Sequence, residues 1–189
     1  MKITRVVAVL IASLLASPAL AHTGVGTTSD LTSGFLHPIG GLDHVLAMVA
    51  AGLFASVLGG RARWALPATF VAMMILGGTL GFAGLSLPGV EGWISLSVVV
   101  LGLVVMVGKA WPIGAAAGMV GGFAIFHGYA HGAEMPVAAG AGLYTLGFVA
   151  ATALLHAVGV GAGIASSRPS VVRLAGAAVA VAGLAILAL

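Results

Sequence analysis

The sequence predicts an all-α membrane protein: a cleavable signal peptide followed by a bundle of six transmembrane helices. Three observations carry this. The 189 residues are 61% hydrophobic and only 6% charged, against about 25% charged in soluble domains. A mean hydropathy of +1.23 makes a bilayer, rather than water, the expected solvent. Apolar runs of spanning length also alternate with short breaks of Gly, Pro and charge. The 30 glycines suit membrane helices, whose backbones approach closely where side chains are small. The chain has no cysteine, which excludes disulfides, zinc–thiolate clusters and thiol nucleophiles. No basic run suggests a nucleic-acid partner; membrane lipid is the expected surrounding.

Residues 1–21 read as the signal peptide. Lys2 and Arg5 form the positive n-region, Val6 to Leu15 the apolar stretch, and Ala19-Leu20-Ala21 the small-residue cleavage site. Cleavage after Ala21 leaves residues 22–189 as one membrane domain with His22 at its start. A free α-amine beside that imidazole forms a chelating pair, so His22 is a candidate accessory metal ligand.

Six apolar segments follow, at 32–58, 65–87, 92–108, 111–133, 137–162 and 170–188. The first carries His37-Pro38-Ile39-Gly40-Gly41-Leu42-Asp43-His44 near its start. Pro38 suits a first helical turn there, and Gly40 and Gly41 permit irregular backbone. It ends at Gly59-Gly60-Arg61-Ala62-Arg63. The second runs to Pro88-Gly89, and the third to the Lys109–Pro112 break. The fourth contains Phe126-His127-Gly128-Tyr129-Ala130-His131-Gly132-Ala133-Glu134 at its end. Its glycines at 114, 118, 121, 122, 128 and 132 fall on roughly the opposite face, which predicts a close-packed, central helix. The fifth holds a lone His156, and the sixth follows Arg168-Pro169-Ser170. Gly77/Gly81 and Gly159/Gly163 have GxxxG-like spacing, which serves packing within the bundle or a homo-oligomer.

Charge predicts the orientation. With the mature N-terminus outside, Arg61, Arg63, Lys109, Arg168 and Arg173 all fall on the cytoplasmic side, as the positive-inside rule asks. Asp30, Glu91 and Glu134 fall outside or at the outer boundary. Both polar motifs then lie in the outer half of the bilayer, on helices distant in sequence.

These motifs hold four of the six histidines and two of the four acids. Ionisable groups in a bilayer cost about 2.5–3.5 kcal/mol each even on the gentler insertion scale, so they mark function. His127, His131 and Glu134, spaced i, i+4, i+7, share one helical stripe. His37 and His44, spaced i, i+7, share a face too, separated by roughly 10 Å along the axis, with Met48 extending the stripe. Asp43 serves either as a ligand or as the group that fixes a histidine tautomer. Neutral imidazoles with carboxylates are ligands for nickel, cobalt or zinc. The candidate metal site is therefore His37, Asp43, His44, His127, His131 and Glu134, with His156 as a second accessory candidate. Two ionised carboxylates balance a dication, and its binding is expected to release protons and weaken at acidic pH. No prosthetic group is expected.

The stretches His37-Pro38-x-x-Gly41-x-Asp43-His44 and Phe126-His127-Gly128-x-Ala130-His131-Gly132-x-Glu134 resemble the two signature motifs of the HupE/UreJ family, and the resemblance covers essentially the whole chain. It implies a bacterial inner-membrane permease for Ni2+, with Co2+ the main rival, that feeds hydrogenase or urease maturation proteins indirectly. It also implies passive or gradient-driven uptake, and no G-x-x-x-x-G-K-[ST] motif is present. Two other readings of the residues stay open. One is an intramembrane metal-dependent enzyme, since His127-x-x-x-His131 resembles a fragment of a hydroxylase histidine box. The other is a membrane metal sensor that binds without transport.

Overall fold

The computed structural model describes residues 30–135, 140–166 and 168–189. The signal peptide and His22 lie outside the described residues. Within them the chain forms seven helices and no strand: α1 (Asp30–Gly40), α2 (Leu42–Leu58), α3 (Ala62–Phe82), α4 (Val90–Val107), α5 (Ile113–Ala133), α6 (Ala141–Ala165) and α7 (Pro169–Leu187). Helices α3 to α7 are each long and apolar enough to cross a membrane. Helices α1 and α2 make a sixth span only if taken together, and they are bent by 82° at Gly41.

The bend corrects the expectation of one continuous helix over 32–58. Pro38 is not in a first turn. It lies inside α1, whose start is Asp30. Its ring has no N–H to bond backwards along the helix, and α1 stops two residues later. Gly41 then takes an extended conformation (φ −98°, ψ 117°) and α2 begins in a new direction. A side chain at 41 would crowd the turn, because a Cβ there would sit 2.9 Å from both Asp43 Oδ1 and His44 Nδ1.

The helices pair along seams of glycine. A Cβ on Gly77, Gly81, Gly128 or Gly132 would fall on the carbonyl of Ile125, Tyr129, Met74 or Gly78 respectively, so α3 and α5 touch backbone to backbone. Gly102, Gly176 and Gly183 do the same between α4 and α7, and Gly52 and Gly159 between α2 and α6. Gly34 and Gly147 let α1 lie across the start of α6, where the Gly140 N–H also donates to Asp30 Oδ2 at 2.9 Å. Lipid tails are as apolar as leucine, so helices in a bilayer are held by close packing rather than by hydrophobic exclusion. Gly77/Gly81 and Gly159/Gly163 therefore serve contacts inside the bundle; a Cβ on Gly163 would meet Ser56 Oγ.

The central helix is α2, not α5. Ala47, Met48, Ala50, Phe54 and Ala55 of α2 are fully buried, and it touches α3, α4, α6 and α7. In α5 only part of the expected glycine face is packed. Gly128 and Gly132 are in the seam with α3, whereas Gly114, Gly118 and Gly122 have nothing within 4 Å. The helices alternate in direction, so Asp30, Asp43, Glu91 and Glu134 gather toward one end of the bundle. Arg61, Arg63, Lys109, Arg168 and Arg173 gather at the other.

This packing separates two kinds of glycine. Gly128→Ala should destabilise the protein by about 1–3 kcal/mol, because the methyl group meets a backbone carbonyl that cannot rotate away. Gly118→Ala should leave the thermal midpoint in detergent unchanged or raised.

Candidate metal centre

The polar cluster sits where the α1–α2 turn meets the end of α5. The bend presents His37 and His44 to His131 from two different helices. Their ring centroids lie 4.6 Å and 4.2 Å from that of His131. The shared axis expected for His37 and His44 does not exist; they converge because the chain turns between them. On α5, His127 and His131 are one turn apart. Glu134 lies just past the helix end, but its backbone stays helical (φ −91°, ψ −3°) and its N–H still donates to the Ala130 carbonyl at 3.0 Å. The stripe of three is thereby kept.

His37, His131 and Glu134 come together most closely. Each offers one ligand atom, and these atoms lie within 4.8 Å of one another. His37 Nε2 is 3.3 Å from Glu134 Oε2. Ligand atoms around one ion at bonds of about 2.0–2.2 Å sit roughly 3–4 Å apart, so a spread of up to 4.8 Å is slightly wider than that of ligands on one ion.

The other histidines are oriented by their hydrogen bonds. His44 Nδ1 lies 2.7 Å from Asp43 Oδ1, and that oxygen also accepts the His44 backbone N–H at 2.8 Å. A carboxylate accepts, so His44 carries its proton on Nδ1 and keeps a lone pair on Nε2. That nitrogen is buried and has no hydrogen-bond partner among the described residues. Asp43 thus stands behind the imidazole, in the tautomer-fixing position of its two expected roles.

His127 obeys the same logic through a different partner. Its Nε2 is 2.8 Å from Ser97 Oγ on α4, and Ser97 gives its only hydroxyl proton to the Ile94 carbonyl at 2.6 Å. The serine oxygen must therefore accept from His127 Nε2–H, which leaves a lone pair on the buried Nδ1. Both ring nitrogens of His131 are buried without a hydrogen-bond partner. Buried polar atoms are ordinarily paired.

The cluster is graded in depth. The Glu134 side chain is 62% exposed and that of His37 28%, whereas His44, His131 and His127 are buried. The imidazoles form a row, His37–His131–His44–His127, with the last pair 4.7 Å apart. Beyond His127 comes the Phe70 ring at 5.7 Å, and beyond Phe70 the ring of His156 at 4.7 Å.

Three participants were not anticipated from sequence. Ser97 holds His127, Phe70 ends the row, and Tyr144 packs its ring 5.8 Å from His37 with its hydroxyl unpaired among the described residues. The usable signal for Ser97 was Ser95 and Ser97 inside an otherwise apolar run. Met74 is buried, while Met106 is on the surface. Trp64, Trp93 and Trp111 are all partly exposed near helix ends, where interfacial anchors belong.

Comparison with known proteins accords with this arrangement. The HupE / UreJ protein family matches residues 9–186. Protein HupE of Rhizobium leguminosarum bv. viciae is 47% identical over 193 residues, covering 99% of each chain. No solved structure matches. With helical spans of membrane length among the described residues, both histidine motifs and a match along nearly its whole length, the chain belongs to the HupE/UreJ family.

Proposed function

We propose that this chain is a permease that admits Ni2+, with Co2+ its main competitor, across the bacterial inner membrane and so supplies hydrogenase or urease maturation. The observation that carries the reading is the graded row of ligand groups. An exposed carboxylate and imidazole lead, through buried imidazoles with free lone pairs, into the core of a membrane bundle. A soluble or structural role gives no reason for such a gradient, since each buried, unpaired polar atom is unfavourable. The family and the curated relative support a link to metal supply for hydrogenase or urease.

In this reading the acidic end of the bundle faces the periplasm, with the mature N-terminus and His22 on the same side. His22 then serves as an external capture point. Glu134 and His37 meet the ion first. His131 and His44 replace its water, and Asp43 holds His44 in the receiving tautomer. His127 takes the ion deeper. The carboxylates of Asp43 and Glu134 offset the charge of the dication, which a low-dielectric site would otherwise reject. The basic end faces the cytoplasm, in line with the positive-inside rule.

Reconstituted vesicles loaded with a nickel-sensing dye test this directly. Wild-type protein should admit Ni2+, and His131→Ala should admit none while keeping its thermal midpoint. Uptake that persists in the mutant would falsify the site. Nickel binding without uptake would instead favour a sensor, and a redox-active iron centre in the purified protein would favour an enzyme.

Asp43→Asn should keep the fold but weaken Ni2+ binding about 10–100-fold, because loss of an outer carboxylate loosens the ligand it orients. Titration calorimetry reads this. Lowering the pH from about 7 to 5 should also weaken binding, since protons compete for imidazole nitrogens whose ordinary pKa is about 6.5. A Kd that stays constant over that range would show that the histidines are not the ligands.

A further inference from the structure

His156 lies in α6 about 22 Å from the start of that helix, well past the polar cluster in depth. It is 1% exposed. Its Nδ1 is 2.7 Å from the Thr152 carbonyl. A carbonyl only accepts, so the proton is on Nδ1 and Nε2 carries a bare lone pair. That nitrogen is buried and has no hydrogen-bond partner among the described residues. A ring N–H given to a backbone carbonyl with the opposite nitrogen free is the arrangement of a metal-ligating histidine. A histidine kept only for packing gains nothing from a naked Nε2, since leucine would fill the space without a buried polar atom.

Two features border this side chain. The Phe70 ring packs against both this imidazole and that of His127. His156 also lines an open groove of about 710 Å³ between α3 and α6, bordered by Arg63, Pro67, Val71, Ala153 and Val160. Arg63 is in the first turn of α3, at the basic end of the bundle. No carboxylate lines this groove. An ion on His156 would have one imidazole and water as ligands, no anion to balance it and a guanidinium nearby. Such a site holds a dication far more weakly than two carboxylates and several imidazoles do.

We propose that His156 is a second, inward-facing ligand for the transported cation: its Nε2 takes the ion beyond Phe70 and releases it, with water as the remaining ligands, into the α3–α6 groove. This rests on the permease reading above, and it adds a weak release site below the strong capture site.

The chain contains no cysteine, so a single thiol can be followed without background. Full-length His156→Leu and His156→Cys would be reconstituted, with Ni2+ as the only probe. At saturating Ni2+, uptake by His156→Leu should fall at least ten-fold while equilibrium Ni2+ binding changes less than two-fold. His156→Cys, which keeps a ligand atom, should retain more uptake than His156→Leu. Its thiol should react with a membrane-impermeant reagent from the Arg63 side only, and Ni2+ should slow that reaction. Undiminished uptake in His156→Leu would overturn the proposal. So would a thiol that aqueous reagent cannot reach from the Arg63 side, the behaviour of a lipid-filled groove. Loss of binding together with uptake, and of the thermal midpoint, would mark a structural histidine and also overturn it. Failure of wild-type vesicles to admit Ni2+ would instead sink the permease reading itself.

Discussion

A helix interrupted within a membrane leaves backbone groups that lipid cannot satisfy, so an interruption persists only where polar partners surround it. The turn at Gly41 has such partners around it. Pro38 withholds a donor, Gly41 breaks the helical path, and the first N–H groups of α2 need acceptors. Asp43 Oδ1 supplies one of them and, with the same oxygen, holds the His44 ring. Asp43, which satisfies a backbone group at the broken helix, thus also orients a histidine of the candidate site. Without the bend, His37 and His44 would lie one above the other on one helix, and His131 could not stand between them.

The rest of the bundle keeps this turn in register. Helix α1 is too short to be anchored by its own length. It is fixed across α6 by the Gly34 and Gly147 contacts and by the Asp30–Gly140 hydrogen bond. Helix α5 is set against α3 by four glycines, and this fixes the height at which His127 and His131 meet α2. Backbone contacts vary less than side-chain contacts, since no rotamer can adjust. A ligand cluster with tolerances of a few tenths of an ångström benefits from that.

Much of this was legible in the residues. The five spans of α3 to α7 lie within a few residues of their expected limits, because long apolar runs bounded by Gly, Pro and charge are an unambiguous signal. The His127–His131–Glu134 stripe follows from helical spacing alone. The bend was not legible as a bend. Gly40 and Gly41 allow irregular backbone, but nothing local distinguishes a glycine that breaks a helix from one that lets a neighbour approach. That ambiguity also misplaced the glycines of α5. Gly114, Gly118 and Gly122 share spacing with Gly128 and Gly132, yet only the latter pair faces α3. Which helix is central, and which serine meets His127, depend on tertiary neighbours that periodicity does not encode.

The glycine seams divide the bundle mechanically. One close-packed unit joins α1, α2 and α6; another joins α3 and α5. His37 and His44 belong to the first unit, and His127, His131 and Glu134 to the second. The seams resist slippage within each unit, and the candidate ligands come from both sides of the joint between them. In the permease proposed above, an ion ligated by both units would act as a clasp across that joint.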